Sequence, residues 1–117
     1  MRVYNLIFEV NKPLNASFNG PALQLNQMYG YSVQVVWTGT INGSFKLQSS
    51  SDANNSGYDP VNWTDIADSA TTISQDGDFM WNVLYCMYNW VRLVYTDASG
   101  GTSTAVLTTA TFNGKGT

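Results

Sequence analysis

Few side chains in this 117-residue chain can do chemistry, and their pattern narrows what that chemistry could be. With no histidine, neither a Ser-His-Asp nor a Cys-His arrangement can be assembled, and no histidine metal site is available. Paired carboxylates could in principle cleave a glycosidic bond. Glu9 is the single glutamate, and Asp52, Asp59, Asp65, Asp68, Asp76 and Asp78 all fall beside turn residues or strand ends, where aspartate bonds its own backbone. The one cysteine, Cys86, excludes an intrachain disulfide; it lies among Val83, Leu84, Tyr85, Met87 and Tyr88, without a base to activate it, and reads as a small buried hydrophobe. Gly100-Gly101 lacks the motif of a phosphate loop and reads as a turn. No catalytic, cofactor-binding or metal-ligating residue is therefore assigned, and no cofactor is expected.

Two features leave room for binding. The polar loop 50–60 carries Asp52, Asn54, Asn55 and Asp59, oxygen donors of the kind calcium takes, but their spacing is not that of an EF-hand and no glutamate closes it. Ordinary turn chemistry is the expected reading. Arg92 is the only cation in the apolar run Asn89–Asp97, a setting arginine tolerates by pairing with a carboxylate and stacking on a ring. Asp65 is the expected partner, Trp63 or Trp90 the expected stack, and the role structural. The four tryptophans and seven tyrosines have two readings: core and interface packing, or a flat platform for sugar rings. Trp37 and Trp81 alternate with aliphatic residues as core positions do, whereas Trp63 and Trp90 fit either reading.

Composition bounds the partners. Charged residues are 11% of the chain, against roughly 25% in an average soluble protein. The net charge is −3, and Arg2, Lys12, Lys46, Arg92 and Lys115 are scattered, so phosphate neutralisation and nucleic-acid binding are not expected. No apolar run reaches the roughly 18 residues of a membrane span. The start, MRVYNLIFEV, carries Glu9 and does not read as a signal peptide. The sequons at Asn15, Asn42, Asn54 and Asn62 then read as by-products of an Asn- and Thr-rich composition.

The elements that must hold these residues all read as strands. Tyr31, Val33, Val35 and Trp37 alternate with polar residues, as do Phe45 and Leu47, which is the period of half-buried antiparallel strands. Between the two runs, Asn42-Gly43 predicts a tight hairpin with positive φ. Residues 3–10 form a first strand broken at Lys12-Pro13, and Gly20-Pro21 breaks the next segment before a short strand, ALQL. SATTISQ is a Thr-rich strand anchored by Ile73, followed by a turn at Asp76-Gly77. Residues 78–88 are apolar on both faces, which predicts a strand central in the core or sealed between subunits. Residues 89–97 form another strand, Ser99-Gly100-Gly101 a turn, and TSTAVLTTATF the last strand, ending in a flexible tail over 113–117. Eight or nine strands without a substantial helix predict one all-β domain over 1–117, an antiparallel β-sandwich or jelly roll.

The layout Trp37-Thr38-Gly39, Gly43-Ser44-Phe45-Lys46-Leu47-Gln48-Ser49-Ser50-Ser51-Asp52, Trp63-Thr64-Asp65-Ile66, then Trp90-Val91-Arg92-Leu93-Val94-Tyr95 and Ser99-Gly100-Gly101 resembles small β-sandwich structural proteins of tailed bacteriophages. These are found as decoration, head-fibre or other accessory virion proteins. The resemblance covers roughly residues 28–112 and leaves 1–27 as a possible attachment strand or arm. It implies a non-enzymatic virion protein, assembled in the host cytoplasm and bound to capsid or tail proteins. It also implies a homo-oligomer, with a trimer at capsid symmetry positions as the first expectation. Two-faced apolar strands in so short a chain independently predict an oligomer. Part of the layout, the Ser51-Asp52 turn followed by Trp63-Thr64-Asp65, is also similar to discoidin-like and other carbohydrate-binding sandwiches. That similarity implies the alternative, a glycan-binding module for attachment to a host surface. A structural role predicts Trp63 and Trp90 buried, a lectin role predicts an aromatic face open beside Asn, Asp or Gln, and a hydrolase predicts two facing carboxylates in a cleft.

Overall fold

The computed structural model describes residues 2–40, 42–53, 59–73 and 77–116. Among them none is helical. The strands are β1 (Arg2–Pro13), β2 (Phe18–Asn19), β3 (Leu23–Gln24), β4 (Met28–Thr38), β5 (Gly43–Ser50), β6 (Thr64–Asp65), β7 (Thr71–Ile73), β8 (Gly77–Val83), β9 (Trp90–Asp97) and β10 (Val106–Gly116). They form two antiparallel sheets. Sheet A has the order β1-β10-β4-β8; in sheet B, β9 and β5 pair at the centre, β2 and β3 both flank β9, and β6 and β7 both flank β5. The short segments are interrupted strands: Gly20-Pro21 separates β2 from β3 along β9, and residues 66–70 loop out between β6 and β7. Among the described residues eight sheet positions result, four per sheet, in the two packed layers of an antiparallel sandwich.

This order corrects the expected hairpin at Asn42-Gly43. β4 pairs with β10 and β8, whereas β5 pairs with β9, β6 and β7, so the chain between them crosses from one sheet to the other. Each strand has one apolar face, and burying both faces against each other places the strands in opposing layers rather than side by side. Trp37 and Phe45 accordingly meet across the interior, with ring centroids 5.8 Å apart. The positive φ of the crossing falls on Gly39, at 87°, and Gly43 serves close approach instead: a Cβ there would run into the Thr96 carbonyl oxygen and the Tyr95 hydroxyl.

The core lies between the sheets. Val33, Val35 and Trp37 of β4 and Leu107, Ala110 and Phe112 of β10 face Phe45 and Leu47 of β5 and Val91, Leu93 and Tyr95 of β9, all almost wholly buried. Phe45 packs on Tyr95 at 5.0 Å, and the Tyr95 hydroxyl donates to the Leu14 carbonyl, pinning the β1–β2 connection. Trp81 is buried as expected, its indole N–H donating to the Ser69 carbonyl at 2.8 Å. Ser69 is itself buried: its hydroxyl accepts from the Leu47 N–H, and bonds to the Ile66 and Leu47 carbonyls hold the looped-out segment against sheet B.

Three further expectations change. The tail expected over 113–117 is strand through Gly116, because β10 is paired on both sides, with β1 and with β4. Residues 2–27 are not a separate arm: they supply β1 at the edge of sheet A and β2 and β3 at the edge of sheet B. The apolar segment 78–88 is neither one strand nor central, since β8 is an edge strand that ends at Val83. The expectations for Asn54, Asn55, Asp76 and the Ile73 side chain lie outside the described residues.

Candidate functional site

Two surfaces gather the residues singled out by the sequence. The first is the outer face of sheet B. Gln48 of β5 stands opposite Arg92 of β9 on one side and Asp65 of β6 on the other, and alternation turns all three outward. They form one chain of hydrogen bonds. Arg92 Nε donates to Gln48 Oε1 at 2.8 Å, Gln48 Nε2 donates to Asp65 Oδ1 at 2.8 Å, and Lys46 Nζ meets Asp65 Oδ2 at 3.0 Å. Trp63 folds back over this row, with the Arg92 guanidinium carbon 4.3 Å from its ring centroid. The predicted stack on Trp63 is present, while the predicted Arg92–Asp65 pair is replaced by a relay through Gln48. Desolvation under the indole lowers the Arg92 pKa, and the Gln48 and Lys46 bonds hold the Asp65 carboxyl below the usual carboxylate range. Trp63 and Trp90 are both half-buried. Trp90 is committed to the fold through its indole N–H, which donates to the Asp52 carbonyl at 3.3 Å.

The second surface is the end of the sandwich where the connection from β8 to β9 passes over the start of β4. Its backbone is pinned: Cys86 N–H donates to the Tyr29 carbonyl at 3.0 Å, and Asn89 N–H to the Ser50 carbonyl at 2.9 Å. Along β8 the inward side chains are Phe79, Trp81 and Val83; after the bend at Leu84 they are Cys86 and Tyr88. The phase therefore shifts by one residue, and Tyr85, expected to share a face with Trp81, turns outward. Leu84 is 69% exposed, Tyr85 83% and Met87 94%, with Tyr29 beside them at 43%. Under this apolar end the Tyr31 and Tyr88 hydroxyls share a 2.6 Å hydrogen bond, and burial raises both pKa values. Cys86 is half-buried, its Sγ 3.7 Å from the Met28 carbonyl oxygen, and burial pushes the thiol up, away from the thiolate that a nucleophile needs.

The carboxylates show turn chemistry. Asp52 Oδ2 accepts from the Val61 and Asn62 N–H groups at 2.7 and 3.0 Å, and Oδ1 from Asn62 Nδ2 at 2.9 Å, so one side chain closes the polar loop. Asp97 does the same for Ser99 and Gly101 in the expected turn. In Asp52, Asp65 and Asp97 these partners lower the pKa, which favours the ionised form, opposite to what a general acid requires. Among the described residues no three acidic or thiol groups gather as a metal site. Sequence reasoning missed Gln48, Ser69 and the Tyr31–Tyr88 pair. Gln48 carried a signal, since it shares a face with Lys46 at period 2, but nothing in the sequence gives the register that joins it to Arg92.

No protein-family model matches this chain, and no curated protein matches it by sequence. Solved structures share its fold at low identity. Chitosan-binding module 1, from a chitosanase/glucanase of Paenibacillus sp. IK-5, superposes with a TM-score of 0.51 and 17% identity, over 86% of this chain and 76% of that one. The SPBc2 prophage-derived protein YomS gives 0.50 and 10% over 97% and 90%, and the Tobacco streak virus coat protein 0.51 and 8% over 98% and 86%. The sandwich is thus a fold found in prophage and viral proteins and also in a carbohydrate-binding module.

Proposed function

We propose that this chain is a non-enzymatic structural component of a phage virion, a decoration or accessory protein that meets capsid or tail proteins through the apolar end of its sandwich. The observation that carries this reading is the exposure of Leu84, Tyr85 and Met87 on a connection whose backbone is pinned at Cys86 and Asn89. A backbone already pinned in the free protein loses little conformational freedom when a partner covers the apolar side chains it presents, which favours protein contacts. Similarity to a prophage-derived protein and a virus coat protein supports the same reading at the level of the fold. The test is co-sedimentation with particles of the phage that encodes the chain, prepared without it. The wild type pellets with the particles, and Tyr85→Ser/Met87→Ser loses at least about 10-fold in affinity; equal binding by both proteins removes the reading.

A second reading rests on Trp63. One face of its half-exposed indole is covered by Arg92, and beside it Gln48, Asp65 and Lys46 offer amide, carboxylate and ammonium groups of the kinds that recognise sugar hydroxyls or amines. Similarity to a chitosan-binding module supports this glycan-binding alternative. Titration with chitosan oligomers followed by calorimetry tests it. Saturable binding lost in Trp63→Ala favours a glycan-attachment role, and a flat titration excludes chitosan as its ligand.

A further inference from the structure

We propose that two copies of this chain join across the free edge of β1, antiparallel, with Asn5 on the two-fold axis, so that sheet A continues from one copy into the next as eight strands. β1 is twelve residues long and, among the described residues, pairs with β10 alone. The other edges of the sandwich are guarded. Gly20-Pro21 interrupts β2/β3, residues 66–70 loop out of β6/β7, and β8 carries Asp78 while its inward Trp81 is already bonded to Ser69. On β1 the guarding features come late: the register shift between Ile7 and Glu9, then Lys12-Pro13. Residues 3–7 form a regular, uncharged stretch, with Val3 and Ile7 each 56% exposed and Tyr4 47%.

The hydrogen-bond geometry selects the partner. On a free edge every second residue points its N–H and C=O outward, so a strand pairing with its own copy must set odd residues against odd and even against even. Within 3–7 the register that overlaps the whole stretch centres on Asn5. Val3 then lies beside the partner's Ile7 on the outer face, twice by symmetry, and Tyr4 beside the partner's Leu6 on the inner face. Both are apolar cross-strand pairs of the stabilising kind. This self-complementary order is what an isologous contact requires and what an unrelated peptide would match only by accident. The inner pair has room: Tyr4 and Leu6 line a cleft of about 600 Å³ between β1 and residues 22–28, which the second strand would roof.

The test is sedimentation equilibrium of the full chain over a concentration series. The expected result is a reversible dimer of the 12.9 kDa chain. Val3→Lys/Ile7→Lys places like charges opposite each other and weakens association at least about 10-fold, whereas Val3→Lys/Ile7→Glu pairs opposite charges in the same register and restores it. Should the lysine variant fail to fold, amide exchange on the wild type decides: protection of residues 3–7 rises with protein concentration. A monomer throughout, a trimer, a dimer indifferent to the lysine substitutions, or exchange at residues 3–7 independent of concentration overturns the proposal. The result stands apart from particle binding, which uses Tyr85 and Met87.

Discussion

Strands β4 and β5, on either side of the crossing, and the 84–88 connection each carry large apolar and aromatic side chains, and these end in opposite environments. Trp37 and Phe45 are almost wholly buried, while Tyr85 and Met87 are the most exposed large apolar side chains described. The difference comes from what each run faces. β4 and β5 lie in opposing sheets and cover each other. The 84–88 connection leaves its sheet at Val83 and retains only Cys86 and Tyr88 against the core. Hydrophobic content therefore marks what could be buried, and topology decides what is. The same contrast separates the residues that stabilise this protein from those free to meet another.

Substitutions can break or sharpen that contrast. Phe45→Ala should cost about 3–5 kcal/mol of unfolding free energy, because a fully buried ring is replaced by a cavity between Trp37 and Tyr95. Met87→Ala should stay within about 0.5 kcal/mol. Urea denaturation of both variants is the comparison, and equal losses would abolish the distinction drawn here.

Tyr31→Phe lies between them, at about 1–3 kcal/mol, since it leaves the half-buried Tyr88 hydroxyl without the partner it has at 2.6 Å. Both tyrosine pKa values are raised in the folded state, so the stability they contribute is complete below the ordinary value of 10.0 and declines as pH rises above it. Thermal melts between neutral pH and pH 11 should show this decline, and Tyr31→Phe/Tyr88→Phe should flatten it. A decline of unchanged slope in the double variant would assign it to other groups.

Asp52 gives the smallest effect, at the opposite end of the pH scale. Its pKa is lowered, so its contribution is complete above the ordinary value of 3.8 and is lost as pH falls through the depressed one. Asp52→Ala should speed amide exchange at Val61 and Asn62, whose N–H groups it accepts, and leave the core amides unchanged. Slow exchange at those two amides in the variant would show that the loop closes without it.

Much of this was legible in the residues. Period-2 alternation identifies β4, β5 and β9 and their inward faces, and Pro13 and Gly20-Pro21 mark where β1 ends and β2/β3 breaks. Sheet membership was not legible, because alternation is the same whether the next strand lies beside or across the core. For that reason the Asn42-Gly43 crossing reads as a hairpin. A stack on Arg92 follows from residue type, since an arginine in an apolar strand needs one, but the choice of Trp63 over Trp90, and Gln48 as the link to Asp65, depend on cross-strand register. The exposure of Tyr85 depends on one bend at Leu84, which no residue type there announces. The flexible tail expected over 113–117 is instead strand through Gly116, because β10 stands in the middle of sheet A, paired on both sides.

The position of β10 between β1 and β4 has a consequence for how the protein is made. Residues near the beginning of the chain pair with residues near its end, Arg2 opposite Gly116 and Tyr4 opposite Gly114. On a ribosome, β4 can meet β8 first, but β1 waits for β10, and sheet A can close only when residues 106–116 have left the exit tunnel. Until then β1 has two unpaired edges and Val33, Val35 and Phe45 lack part of their cover. Native contacts so distant in sequence fold slowly and leave the nascent chain prone to aggregation until β10 emerges.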